Sequence, residues 1–263
     1  ATTRANLQDR GEDRLRQMRI DMGERTFASQ MLQNPIGDGM KTFNDDWFMT
    51  LEKLPDASKL NRYILIDSAN SKKKSSDYTQ IWVVGLGRDK NYYVLDGVHD
   101  RLNLAERTRT LFDLVERWTP GNVFWEQIGL ASDAEHVRIE QERIGWHFNI
   151  TAINQSGHVE GSGVHKNDRI KWLIPLFENA RIWFPARMLR QNAVGETYDL
   201  VQDLLNHEYH THPVCRHDDM LDCLANIAHP AVGRTMRFPV APSSVAEEVH
   251  AKTVNQRYRV KIG

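Results

Sequence analysis

Arg62-Tyr63-Ile64-Leu65-Ile66-Asp67-Ser68-Ala69 decides how the rest of the chain is read. Apolar or aromatic residues run unbroken from Tyr63 to Ile66, two of them β-branched, which predicts a buried central strand. The strand ends on one carboxylate, Asp67. Taken alone, Asp67 is better explained by turn formation, because Asp-Ser-Ala-Asn is good turn chemistry. Two later segments present carboxylates in a comparable way: Asn122-Val123-Phe124-Trp125-Glu126 ends a predicted strand on Glu126, and Asp218-Asp219-Met220-Leu221-Asp222 opens a predicted helix.

Around the Asp67 strand the pattern predicts three strands joined by short links, over 62–67, 78–87 and 92–98, hence an antiparallel meander. Helix and strand then alternate. Asn103 caps a helix to about Trp118, the Glu126 strand follows, then a helix over 132–144 and a strand over 146–153. A glycine-rich loop over 154–163 precedes a helix over 166–179, a short strand at Arg181–Phe184 closed by Pro185, a helix over 196–206, and a last helix from Asp218 to about His229. A meander followed by such alternation predicts a mixed α/β sheet with helices on both faces. Residues 1–55 are charge-dense with too little apolar content for a domain, and are expected to be a linker or docking arm. Residues 56–230 form the predicted domain, and 231–263 a tail, Pro/Ser/Val-rich and then basic.

Composition narrows the class. The 263 residues are 40% hydrophobic and 26% charged, ordinary for a globular protein with one substantial core. No apolar run approaches the roughly 20 residues that cross a bilayer, and the first ten residues lack an apolar signal segment, so a cytoplasmic setting is expected. Cys215 and Cys223 match neither a disulfide framework nor a zinc spacing. Lys+Arg (34) nearly balance Asp+Glu (35), which argues against a chain coated in positive charge but leaves room for a local basic groove.

The three acidic sites share one chemistry. In an open α/β sheet, groups leaving neighbouring parallel strands converge outside their carboxyl ends. A cluster of oxygen donors suits a hard divalent cation. On the last helix Asp222 lies three residues from Asp219 and four from Asp218, so it shares a face with either. N-capping alone accounts for Asp218 and Asp219, and a solvated loop for Glu126; the ordered set is what points to a metal site.

With those residues in view, the chain resembles the C-terminal nuclease domain of the large terminase subunit of tailed bacteriophages, within the RNase H-like superfamily. The resemblance rests on Tyr63-Ile64-Leu65-Ile66-Asp67 with the polar loop to Asp77-Tyr78, on Tyr93-Val94-Leu95-Asp96 and Phe124-Trp125-Glu126, on Lys166-Asn167-Asp168-Arg169-Ile170 with Phe177 to Pro185, and on His217-Asp218-Asp219-Met220-Leu221-Asp222-Cys223-Leu224. It spans about residues 60–230. Cys223 stands where alanine is usual. Phe27 to Pro35 is similar to the segment that joins motor ATPase to nuclease in that family.

The resemblance implies an RNase H-like mixed sheet and hydrolysis of DNA phosphodiesters at a two-metal site of Mg²⁺ or Mn²⁺. It implies Asp67 bridging both ions, with Glu126 on one and Asp219 on the other. Asp218 and Asp222 are alternates, and His217 an auxiliary group. DNA contact is expected from Lys72, Lys73 and Lys74, then Lys166, Arg169 and Lys171, and residues 156–163 are expected to form a substrate-gating flap. Implied partners are double-stranded DNA, the ATPase domain of the same polypeptide, the small terminase subunit and the portal protein, in the cytoplasm of a bacterial host. No Gly-x-x-x-x-Gly-Lys-Ser/Thr loop occurs, so no nucleotide cofactor is expected. A Holliday-junction resolvase or transposase-like nuclease, and a catalytically silent DNA or assembly module, are the competing readings.

Overall fold

A computed structural model of the chain describes residues 41–68, 78–126, 131–154, 165–191 and 195–240. The Lys72–Lys74 run, the 156–163 loop, the helix expected near 24–33 and the basic end of the tail lie outside the described residues.

Seven strands form one sheet: β1 (Met49–Leu51), β2 (Asn61–Asp67), β3 (Thr79–Leu86), β4 (Tyr92–Asp100), β5 (Asn122–Glu126), β6 (Ile150–Ile153) and β7 (Ile182–Pro185), in the order β1-β7-β4-β3-β2-β5-β6. β2, β3 and β4 pair antiparallel, and every other pairing is parallel. This is the mixed sheet, antiparallel through β2, β3 and β4 and parallel elsewhere, that the sequence implied. The chain walks from β2 through β3 to β4, then crosses to the opposite side of β2 to lay down β5. The direction of winding therefore reverses between β2 and β5, where an α/β sheet opens a crevice at its carboxyl edge.

Helices cover both faces. Helices α1 (Leu104–Trp118) and α2 (Ala131–Ile144) pack on one, burying Leu111, Leu114, Val115, Ala134 and Val137 against Ile64, Ile66, Val123 and Trp125. The start of α1 is fixed by a capping box, in which the Asn103 side chain accepts from the Glu106 amide and Glu106 accepts from the Asn103 amide. The opposite face carries α3 (Lys166–Ile170), α4 (Ile174–Glu178), α5 (Leu200–Leu204), α6 (Asp219–Ala225) and α7 (Pro230–Thr235). There Leu65, Trp82 and Phe124 meet Met220, Leu221, Cys223 and Leu224. Successive strand residues point to opposite faces. Ile64 and Ile66 thus face α1 and α2, while Tyr63 and Leu65 face α6, and Asp67 follows their parity. By the same alternation Glu126 follows Phe124.

Several elements differ from expectation for local reasons. The helix expected over 166–179 is broken into α3, a 3₁₀ turn at Lys171–Leu173 and α4, because Pro175 in the first turn of α4 lacks the amide that would continue the ladder. The region expected as a helix from 196 begins with an antiparallel hairpin, β8 (Leu189–Gln191) with β9 (Thr197–Asp199); helix starts only at Leu200, where the Asp199 side chain accepts from the Val201 amide. The strand expected from Trp146 begins at Ile150, and Trp146 and Phe148 instead pack edge-on against Phe112.

The described part of the segment expected as an arm is woven into the fold. β1 pairs parallel to β7 at the sheet edge. Phe43 is 1% exposed and stacks on Tyr209, and the Thr42 amide donates to the His212 carbonyl at 3.1 Å. Beyond residue 230, α7 buries Val232, and Met236 lies in the same core. Among the described residues no helix is long and apolar enough to cross a membrane.

Gly97 on β4 lies against the face of Trp82, where an added Cβ would stand 2.5 Å from two ring carbons. Gly97→Ala is therefore expected to lower stability by about 1–3 kcal/mol through overpacking, measured by urea unfolding with an unchanged m value.

Candidate metal centre

The two strand-end carboxylates emerge at the sheet's carboxyl edge, on adjacent parallel strands whose register pairs Ile66 with Trp125. Period-2 alternation aims both toward α6, which supplies the third. Asp67, Glu126 and Asp222 each present an oxygen within 4.8 Å of the others. Among the described residues no other group of three or more His, Cys, Asp or Glu side chains comes together in this way.

Two tryptophans, Trp82 and Trp125, tie down these segments. The Trp125 indole N–H donates to Ser68 Oγ at 3.1 Å, fixing the residue that follows Asp67. The Trp82 indole N–H donates to the Met220 carbonyl at 2.9 Å, fixing the first turn of α6 to β3. Glu208 caps that turn from the other side, accepting from the Met220 and Leu221 amides at 3.2 and 2.9 Å. Burial pushes its carboxyl up to about 8, against the pull of those two amides. Glu208 sits in a π-helical turn at Leu205–Tyr209, 11 residues before the helix it caps, and its spacing carried no signal in the sequence.

The remaining predicted residues fall into two layers. Lys166 Nζ lies 2.6 Å from Asp218 and 3.0 Å from Asp219, but 3.8 Å from Asp222. Arg169 makes a fork with Asp222, Nη2 to Oδ2 at 2.5 Å and Nε to Oδ1 at 3.1 Å, and its Nη2 stands 3.8 Å from Glu126 Oε1. Lys166 and Arg169, three apart on α3, thus oppose Asp219 and Asp222, three apart on α6. Both cations were expected on a DNA-binding surface; here they face the acidic helix. Asp219, expected to be the third ligand, lies outside the group of three, with Oδ1 on Lys166 and Oδ2 buried without a hydrogen-bond partner. His217 lies edge-on to Tyr78 at 5.7 Å, in the wall of a neighbouring cleft.

The electrostatics are those of crowded carboxylates. Desolvation first, then repulsion from Glu126 and Asp222, holds the Asp67 carboxyl well above the usual range. Asp222 is also raised by burial, which outweighs the stabilising charges of Arg169 and Lys166. Burial disfavours the charge of Lys166, but Asp219, Asp222 and Asp218 overcome it and hold the ammonium above its ordinary value. The Cys223 thiol lies fully buried beside the group, pushed up by desolvation and then by Asp67 and Glu126. An oxygen-only donor set whose members oppose each other's ionisation fits a hard divalent cation such as Mg²⁺ or Mn²⁺, and a cation placed there would reverse the shift at Asp67.

Next to the group, a cleft of about 630 Å³ is lined by Tyr78, His99, Arg101, Tyr198, Arg216 and His217 among others. Its proximity follows from register: Asp67 pairs with Gln80, and Gln80 with His99. Arg101 stacks 3.9 Å above the Tyr78 ring. Burial lowers His99 to about 4 and keeps it neutral at physiological pH.

Comparison with solved structures finds likenesses at low identity. The chain is similar in fold to large terminase nuclease domains. Against the large terminase nuclease from thermophilic phage G20c the TM-score is 0.42 at 17% identity, covering 68% of this chain and 92% of that one. Against the human cytomegalovirus terminase nuclease domain it is 0.45 at 15%, covering 76% and 93%. Against the Fowlpox virus resolvase solved with Holliday-junction DNA it is 0.37 at 10%, covering 67% and 99%. No family model matches the chain, and no curated protein matches it.

Because the folded-state pKa of Asp67 lies above its unfolded value, its ionisation opposes folding, and the penalty grows as pH rises above 3.8. In EDTA, Asp67→Asn is expected to raise Tm at pH 8, each 1 kcal/mol gained appearing as about 2–4 °C at this chain length. The gain should shrink toward pH 4, as thermal unfolding across the range would show.

Proposed function

We propose that the chain is a divalent-metal-dependent DNA endonuclease whose catalytic carboxylates are Asp67, Glu126 and Asp222. The observation that carries this reading is the convergence of their oxygens within 4.8 Å at the sheet's topological switch point. Asp218 and Asp219, which share Lys166 as their counterion, stand behind Asp222 as outer partners.

Mg²⁺ or Mn²⁺ bound by the three carboxylates supplies Lewis-acid polarisation of a phosphodiester and lowers the pKa of a bound water. The chain's own part is positioning. β2 and β5 hold Asp67 and Glu126 rigidly because both strands are buried on both faces. α6 is pinned at its first turn by Trp82 and Glu208, so Asp222 is presented at a fixed angle. A phosphate backbone lying across the switch point would run into the adjoining cleft, where Arg101 and Arg216 offer positive charge in a lining that also holds Asp100, Asp203 and Glu208. The Lys72–Lys74 run, directly after β2, extends the same reading by its sequence position.

On this reading the biological substrate is concatemeric viral DNA cut during genome packaging. The partners are those the sequence resemblance implies: double-stranded DNA, an ATPase domain in the same polypeptide, the small terminase subunit and the portal protein.

Plasmid nicking with Mg²⁺ or Mn²⁺ tests the proposal. Wild-type protein should cleave only with the metal, and Asp67→Asn or Asp222→Asn should each lose at least about 100-fold in rate, the scale of removing one electrostatic anchor of a transition state. Metal-independent cleavage, or full activity in Asp67→Asn, would overturn it.

A further inference from the structure

The position of Arg169 bears on how the acidic group exists without a metal. Among the described residues, five carboxylates, Asp67, Glu126, Asp218, Asp219 and Asp222, meet Lys166 and Arg169, and these two cations are placed differently. Lys166 sits on the outer pair, Asp218 and Asp219, where its charge is satisfied at 2.6 and 3.0 Å. Arg169 reaches inward: its Nη2 stands between two of the three clustered carboxylates, 2.5 Å from Asp222 and 3.8 Å from Glu126. Its side chain is only 10% exposed. An arginine so placed remains charged at any physiological pH, and its fork matches the two oxygens of Asp222.

A divalent cation coordinated by Asp67, Glu126 and Asp222 would need oxygens that Arg169 now engages, and would stand beside the guanidinium. Like charges at that range repel strongly where water is scarce.

We propose that Arg169 is a built-in counterion that holds the carboxylate site until a divalent cation displaces it, so that metal binding and release of the Arg169–Asp222 fork are one equilibrium. The proposal rests on the metal-site reading above and deepens it. Arg169 keeps Asp222 and Glu126 from repelling each other open, and sets a threshold of metal concentration below which the site stays closed. Lys166, shared by the outer pair, keeps its place in both states. The ladder of Lys166–Asp219 and Arg169–Asp222 then opens at one rung only.

Two measurements on the whole chain test this. In calorimetric titration with Mn²⁺, Arg169→Gln should bind at least about fivefold tighter than wild type, the lower end of coupling between linked ligands. In ¹⁵N NMR of wild-type protein, the Arg169 Nε–H signal, assigned by its loss in Arg169→Lys, should shift on Mg²⁺ titration with the midpoint that calorimetry gives for Mg²⁺. Unchanged or weaker affinity in Arg169→Gln, or an Nε–H signal that stays fixed while metal binds, overturns the displacement and makes Arg169 a permanent clamp on Asp222. Should the glutamine variant fail to fold, the wild-type NMR titration decides alone. If neither protein binds metal at millimolar concentration, the metal-site reading falls first and this proposal with it.

Discussion

Three carboxylates that repel one another, drawn together where water is partly excluded, set the constraint around which the molecule is organised. Asp67, Glu126 and Asp222 come from three elements far apart in sequence, and nothing in their mutual interaction favours the arrangement. The framework has to enforce it. Register between β2 and β5 aligns the first two, and alternation aims them at the same face. Burial of all seven residues of α6 leaves Asp222 no freedom to retreat.

Enforcement extends outward through polar contacts that join elements across the fold. Trp82 couples β3 to α6, Trp125 couples β5 to the residue after Asp67, and Glu208 couples the turn after α5 to the first turn of α6. The cations of α3 offset charge without removing the strain entirely, since Asp67 keeps a raised pKa with Lys166 and Arg169 both in place. A site of this kind gives up stability to gain affinity for a cation, a trade that recurs where function and folding compete.

The sheet was largely legible from residue patterns because its central strands are long, apolar and bounded by turn residues, and α1 because Asn103 and Glu106 mark its start. β1 escaped notice because three residues give no periodicity, and the β8–β9 hairpin because its strands are equally short. Pro175 did announce the break between α3 and α4, although the apolar spacing of Ile170, Leu173, Ile174 and Phe177 argued for continuity. At the site, sequence narrowed the third carboxylate to Asp218, Asp219 or Asp222 and could go no further, since Asp222 shares a helix face with each of the others. Tertiary packing separates them: Met220 and Leu221 turn into the core, and with them Asp222 meets the strand ends while Asp219 meets Lys166. Lys166 and Arg169 read as a basic patch for the same reason, their partners lying 53 residues away.

The central claim is that Asp67, Glu126 and Asp222 form one cation site, and a crystal soaked in Mn²⁺ and measured at the manganese absorption edge tests it most directly. An anomalous peak coordinated by an oxygen from each of the three residues is expected. A soaked crystal with no peak there, or with manganese held by Asp218 and Asp219 away from the strand ends, would contradict it.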